Sequence, residues 1–159
     1  MRRNVVLTAT IVAVVAVGVA IAFFLRQPPS PTLQADPANV TQVAAGQAIY
    51  AANCASCHGD QLQGQPNWKE RKADGKLSAP PHDATGHTWH HPDQQLFDIV
   101  KRGVAAIVPN YATDMIGFGD KLSDQDIWNV LAYIKSRWPA DIQAKQAEIT
   151  HAAAQQGVK

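Results

Sequence analysis

The chain has few cysteines, with only Cys54 and Cys57 among its 159 residues. Two cysteines are too few for a disulfide framework, and because both lie within one short motif, no further thiol remains to be explained. Methionine is equally scarce, because Met115 is the only one besides the initiator. Concentrated positive charge is also lacking: the formal net charge is +1, and beyond residue 26 acidic residues outnumber basic ones. Nothing therefore indicates a nucleic-acid-binding surface, which needs a concentrated basic face.

The segment 54–58 reads CASCH, a C-x-x-C-H pattern. This pattern is typical of covalent haem attachment, since one helical turn presents both sulfurs and His58 can reach the iron as the proximal ligand. A thioredoxin-like dithiol would follow a buried strand, whereas residues 42–53 have a helical pattern. A zinc site would need further cysteines or well-spaced histidines. The sequence therefore predicts one haem c, bound covalently through Cys54 and Cys57.

A long apolar run opens the chain. Residues 5–25 carry no charge and lie between Arg2-Arg3 and Arg26. As a helix the run covers about 30 Å, the thickness of a bilayer's hydrocarbon core. We expect residues 1–26 to be a single transmembrane anchor with the remainder in the periplasm, because Arg2 and Arg3 favour a cytoplasmic N-terminus. The alternative is a cleaved signal peptide, whose apolar region is usually shorter, roughly 7–15 residues.

Three segments follow the anchor. Residues 27–40 are rich in proline, which predicts an extended spacer. Residues 41–139 form the predicted domain and include a short helix over 94–102 that stops at Gly103. Residues 140–159 are rich in alanine and glutamine, and we expect a helical or frayed tail.

Two helices determine the predicted all-α fold. The first begins at Thr41 as its N-cap, and Gly46 and Tyr50 share one of its faces, where a bare glycine lets another helix cross closely. The second begins at Ser123, where Asp126 completes a capping-box variant. Its apolar stripe recurs at helical spacing and comprises Ile127, Trp128, Leu131, Ile134 and Trp138. Its aromatic residues are expected to pack in the core, and these are Trp128, Tyr133 and Trp138.

Met115 is the candidate for the second axial ligand, opposite His58. Methionine at that position stabilises ferrous iron and raises the reduction potential. A methionine that fills a gap in the core is the alternative. The glycine-rich residues after Met115 favour ligation, because they let backbone approach the macrocycle just before a helix cap.

With these motifs, the chain resembles a class I cytochrome c, specifically a membrane-anchored bacterial monohaem c-type cytochrome. The resemblance covers residues 42–138 and rests on Gly46 with Tyr50, Cys54, Cys57, His58, Met115 with Phe118, and Trp128 with Tyr133. It implies an all-α fold in which crossed N- and C-terminal helices hold one covalent haem. It also implies a one-electron carrier, and not an enzyme, whose His/Met-ligated iron changes between ferric and ferrous.

Two features depart from that family. Ile116 follows Met115, where the family often has proline, so the loop lacks that source of rigidity. The family also has a proline whose carbonyl accepts a hydrogen bond from the proximal imidazole and so orients it. Pro80 and Pro81 are both candidates for this contact, and the sequence does not choose between them.

Four of the six histidines lie within ten residues: His82, His87, His90 and His91. In one interpretation this loop wraps the haem edge, and Trp89 or a histidine such as His90 donates to a propionate. In a second, the histidines bind a transition metal, since imidazole suits copper or zinc. In a third, one of them replaces Met115 on the iron. An ordinary exposed loop is the remaining alternative.

The sequence therefore predicts an electron carrier at the outer face of the cytoplasmic membrane. Its expected partners are redox proteins, namely a membrane oxidase, a quinol-oxidising complex or a dehydrogenase, with no small-molecule substrate. The alternative is a haem-bearing electron-transfer subunit of a membrane oxidase or dehydrogenase complex. A haem-based gas or redox sensor is a third class, and it requires a labile sixth ligand.

Overall fold

The computed structural model describes residues 34–157 of the chain. The anchor predicted at residues 1–26 and the first half of the proline-rich spacer, residues 27–33, lie outside the described residues. Within this range, no helix combines the length and the apolar character that a membrane crossing requires.

The described residues form helices and loops, and their only β-type pairing is two isolated bridges. The helices are α1 (Val40–Asn53), α2 (Ala55–His58), a 3-10 turn (Thr88–His90), α3 (Asp93–Arg102), α4 (Val104–Ile107), α5 (Asp124–Ser136) and α6 (Ala140–Gln155). The predicted all-α class is confirmed.

Helix ends follow local capping chemistry. The N-cap of α1 is Asn39, not the predicted Thr41, because the Asn39 side-chain oxygen accepts from two free N–H groups of the first turn, at 3.1 Å each. The predicted capping box of α5 is present: Ser123 Oγ accepts from the Asp126 N–H, and Asp126 Oδ2 accepts from the Ser123 N–H. Helix α3 stops at Gly103, as predicted, and this glycine has a φ of 82°.

Helices α1 and α5 pack closely at Gly46. An added Cβ there would lie 2.9 Å from the Tyr133 Cβ and would overlap the carbonyl of Asn129. The ring of Tyr50, one turn further along α1, lies 5.4 Å from the Tyr133 ring, centroid to centroid. The predicted close crossing beside a glycine is confirmed, and it fixes the end of α1, where the CASCH segment begins.

The predicted aromatic core is also confirmed. Trp128, Tyr133 and Trp138 are all buried. Trp128 stacks on Phe97 of α3, with ring centroids 4.6 Å apart. Tyr133 and Trp138 belong to a second cluster, which reaches Leu62 just after the motif. Helix α5 therefore supports both α3 and the segment around the cysteines.

Helix α6 packs onto the domain through polar contacts. Gln146 has no exposed surface, and its Nε2 donates to Asp93 Oδ1 at 2.6 Å and to the His91 carbonyl at 3.1 Å. Lys135 of α5 donates to both carboxylate oxygens of Asp93, at 2.7 and 2.8 Å. The tail predicted from its composition is therefore a docked helix that touches the start of α3 and the histidine-rich loop.

Candidate haem site

Backbone hydrogen bonds at the end of α1 position the two cysteine thiols. The Cys54 N–H continues the helix by donating to the Tyr50 carbonyl, and the Cys54 carbonyl accepts from the N–H groups of Cys57 and His58. Both cysteines are free thiols; Cys57 is exposed and Cys54 is partly buried. Burial, together with the neighbouring Cys57, raises the pKa of the Cys54 thiol to about 11. Cys54 therefore stays protonated near neutral pH, and one helical turn presents both S–H groups.

His58 is buried and held in one tautomer. Its Nδ1 lies 2.8 Å from the carbonyl oxygen of Pro80. A carbonyl only accepts, so Nδ1 carries the proton and the Nε2 lone pair is left free. Burial lowers the pKa of His58, although the bond to Pro80 opposes the shift. The ring is thus a neutral imidazole, the form that binds metals.

This contact distinguishes the two candidate prolines. The carbonyl of Pro80 meets the imidazole of His58, whereas the carbonyl of Pro81 lies 3.5 Å from the Thr88 hydroxyl. The turn after the motif holds Pro80 in place: Leu62 adopts a φ of 63° while buried, and its carbonyl accepts from the His82 N–H at 2.8 Å. A non-glycine residue in this left-handed region is uncommon, so the packing around Leu62 enforces the turn.

Met115 lies partly buried in a loop that rests on the end of α3. The Phe118 and Gly119 N–H groups each donate, at 2.9 Å, to carbonyls of the last turn of α3. An added Cβ at Gly117 would lie 2.7 Å from the Arg102 carbonyl carbon. The glycines that were expected to admit a macrocycle thus admit the backbone of α3, and this packing fixes the loop that carries the methionine.

A second set of contacts holds the segment before Met115. Asp114 pairs with Lys72, at 3.2 Å, and with Lys76. The guanidinium of Arg71 lies 5.8 Å from the centroid of the Tyr111 ring. Exposed ion pairs of this kind contribute little to stability, because solvent screens them. They nevertheless tie the loop to the polar segment that follows the motif.

The histidine-rich residues do not converge on one point. His82 turns inward and stacks on His58, with ring centroids 3.9 Å apart. His87 stacks on Trp68, and His90 stacks on Trp89. Within residues 34–157, no three histidine, cysteine or acidic side chains are grouped so that they could hold a metal ion.

One buried donor next to these histidines has no partner. The Nε1 atom of Trp89 is buried, and no acceptor within the described residues lies in reach of it. An indole N–H can only donate, so it suits a carboxylate oxygen such as that of a haem propionate. Two free thiols, a neutral imidazole with a free Nε2 and this indole N–H form a set that fits haem c.

Sequence reasoning missed the contact between His82 and His58. The signal available was its position, two residues after the proline that bonds the imidazole. Without the fold, Pro80 and Pro81 were equivalent, and so the direction of the His82 ring could not be assigned.

The helical fold and these residues define a class I c-type cytochrome, a protein that transfers electrons. Residues 41–134 match the family model described as cytochrome c oxidase, cbb3-type, subunit III, and the chain belongs to this cytochrome c family.

Individual relatives support this assignment. The chain is 35% identical over 98 residues to cytochrome c6 of a Picosynechococcus species, an alignment that covers 62% of this chain and 75% of the relative. It is 27% identical over 106 residues to the cbb3-type cytochrome c oxidase subunit CcoP of Rhodobacter capsulatus, covering 65% of this chain and 32% of the relative. It is 35% identical over 94 residues to thiosulfate dehydrogenase of Stutzerimonas stutzeri, covering 59% and 27%. The chain thus spans less than a third of the latter two proteins.

Proposed function

We propose that the chain is a membrane-tethered one-electron carrier with a single haem c. Cys54 and Cys57 form the thioether bonds, and His58 and Met115 are the axial ligands. The observation that carries this proposal is the hydrogen bond between His58 Nδ1 and the Pro80 carbonyl, which leaves Nε2 free directly after two free thiols. Bound haem c supplies a one-electron couple between ferric and ferrous iron.

The chain's own residues orient and enclose that couple. The Pro80 carbonyl keeps the proton on His58 Nδ1 and strengthens Nε2 as a donor. The thioether of Met115 is a soft ligand on a loop that α3 holds by backbone hydrogen bonds. Trp89 offers its indole N–H to a propionate. A protein of this kind supplies position and electrostatics, and it makes or breaks no substrate bond.

We place the domain in the periplasm, on a transmembrane helix formed by residues 1–26. The uncharged run 5–25 and its flanking arginines support this assignment. Redox proteins of the same membrane are the proposed partners, and docking is expected to be weak and transient. After expression of the full chain, the protein should stay in the membrane fraction through a high-salt wash. Recovery in the soluble fraction would contradict the tether.

The optical spectrum of the haem-loaded chain tests the ligands. His/Met ligation predicts a low-spin spectrum with a weak far-red ferric band that arises from sulfur bound to iron. A low-spin spectrum without this band would assign the sixth position to a histidine of residues 82–91, and a high-spin spectrum would favour a sensor. A haem-to-protein ratio of one checks the stoichiometry. The double variant Cys54→Ser/Cys57→Ser is the control that should lose covalent haem.

The second candidate function is a haem-bearing subunit of a membrane oxidase or dehydrogenase complex. The matched family model is described as an oxidase subunit, and two relatives are named as an oxidase subunit and a dehydrogenase. Purification of the full chain in mild detergent separates the candidates. A free carrier should elute alone, whereas a subunit should co-purify with larger partners in fixed ratio. Turnover of thiosulfate by the isolated chain would indicate an enzyme.

A further inference from the structure

His82 lies directly against the proposed axial imidazole. Its ring stacks on the His58 ring with centroids 3.9 Å apart and an interplanar angle of 24°. Pro80, two residues earlier, bonds the edge of the same imidazole. One short segment therefore contacts His58 on an edge and on a face.

Three hydrogen bonds hold His82 in this position. Its N–H donates to the Leu62 carbonyl at 2.8 Å, and its carbonyl accepts from Trp138 Nε1 at 2.7 Å. Its Nδ1 lies 2.8 Å from Oγ1 of Thr88, which is itself buried. Both the backbone and the ring of His82 are thus anchored, so the ring presents a fixed flat surface.

We propose that His82 is a positioning residue that sets the orientation of the His58 ring plane. A hydrogen bond at Nδ1 alone leaves an imidazole free to rock about the bond axis, and a ring stacked at van der Waals distance opposes that motion. Outer contacts of this kind orient a metal ligand and tune the metal. This inference rests on the proposed function, because it needs His58 to bind the iron.

The polarity of the His82 ring is expected to affect the reduction potential of the haem. The stacked imidazole of His82 places a polar ring beside the ligand. Polar surroundings favour the more highly charged ferric state, and an apolar shell raises the reduction potential.

Two variants of the haem-loaded full chain test the proposal. In His82→Leu, the flat surface is lost. We expect a shift of the largest g value in the ferric electron paramagnetic resonance spectrum and a new pattern of haem methyl shifts in paramagnetic NMR. His82→Phe keeps a flat ring and should retain the parental pattern, while both variants raise the midpoint potential. Parental g values and methyl shifts in His82→Leu would overturn the proposal.

Thr88→Val provides a second route if His82→Leu fails to load haem. It removes the hydroxyl that anchors the His82 ring and keeps a side chain of similar shape. The largest g value and the haem methyl shifts should move in the same direction as in His82→Leu, but by a smaller amount. The matched control is His91→Leu, since the His91 ring contacts His87 and Gln95 and not His58. Spectra of Thr88→Val identical to those of this control would also overturn the proposal.

Failure of the proposed function gives a different result. If His58→Ala retains the parental optical spectrum, His58 is not the axial ligand and the function proposed above is wrong. If His58→Ala changes the optical spectrum but the His82 variants keep the parental g values and methyl shifts, the axial assignment stands and only the positioning role is refuted.

Discussion

At the residue scale, several side chains of the candidate site have a group that could bond a cofactor and that has no partner among the described residues. The thiols of Cys54 and Cys57 are unpaired, His58 has a free Nε2, and Trp89 has a buried N–H without an acceptor. Leaving a buried polar group unsatisfied costs about 1–3 kcal/mol. The Trp89 donor is therefore a specific clue to a ligand, whereas an exposed thiol by itself is not.

Met115→Ala tests the proposal that Met115 is an axial ligand of the haem iron. Loss of the thioether removes the preference for ferrous iron, so the midpoint potential should fall by a sizeable part of the roughly 0.8 V that axial ligands control. The far-red ferric band should vanish, and the iron should bind added cyanide. Ile116→Ala is the control, because this neighbouring side chain is 68% exposed. If spectrum and potential in Met115→Ala match those of the parent, Met115 is not the ligand.

Trp89→Phe tests the proposed donation of the Trp89 indole N–H to a haem propionate. Without the indole N–H, the propionate charge is less neutralised, which favours ferric iron, and the midpoint potential should fall. Trp68→Phe makes the same chemical change where the indole stacks on His87, and its potential should remain parental. Potentiometry of the two variants side by side is the measurement. Equal potentials for both would mean that Trp89 is an ordinary core residue.

At the element scale, the crossing of α1 and α5 determines where the haem-binding segment lies. Backbone of α5 occupies the space above Gly46, so the two helices are as close as a glycine permits. The last turn of α1 continues directly into the cysteines. A shift of α1 away from α5 would therefore move Cys54 and His58 relative to the loop that carries Met115.

Gly46→Ala tests this crossing. Alanine favours a helix by about 1 kcal/mol over glycine, but its Cβ would overlap the backbone of Asn129, which cannot rotate away. We expect a net loss of about 1–3 kcal/mol in the free energy of unfolding, measured by denaturant titration. Ala48→Leu adds bulk at an exposed site on the same helix and should change stability by less than about 0.5 kcal/mol. A stabilised Gly46→Ala protein would show that the helices can separate at no cost.

Local chemistry made part of the fold predictable. The capping box at Ser123 and the stop at Gly103 depend on neighbours in sequence, and the shared face of Gly46 and Tyr50 follows from helical periodicity. The choice of Pro80 over Pro81 needed the fold, because both prolines are close enough in sequence to reach His58. The docking of α6 could not be predicted from the sequence for another reason. Its buried residue is Gln146, and a polar side chain adds nothing to a pattern of hydrophobic residues.

At the scale of the whole molecule, a buried polar network joins three helices. Asp93 at the start of α3 accepts from Lys135 of α5 and from Gln146 of α6. The Asp93 N–H donates to Thr150 Oγ1 at 3.1 Å. The side chains of Lys135 and Asp93 are only 9% and 14% exposed. The network holds α6 against the loop that contains His91.

Asp93→Asn tests the network. The substitution leaves the Lys135 charge buried without its partner, and breaking a buried pair costs about 3–5 kcal/mol. We expect a loss of this size in the free energy of unfolding, together with faster amide exchange in α6. Asp141→Asn is the matched control, because it breaks only the exposed pair with Lys145, worth about 0.3–0.5 kcal/mol. Equal stability of the two variants would show that the Asp93 pair contributes no more than a surface pair.

The close packing of α1 against α5 also affects the order in which the parts of the site can form. The contacts that bury Cys54 and orient His58 come from later parts of the chain: Pro80 is 22 residues further on, and Tyr133 and Trp138 lie near the C-terminus. Because a chain is synthesised from its N-terminus, the two thiols are made before any of these partners. The final packing around Cys54 and His58 therefore has to wait for the second half of the domain, and both cysteines are most accessible before that half is made.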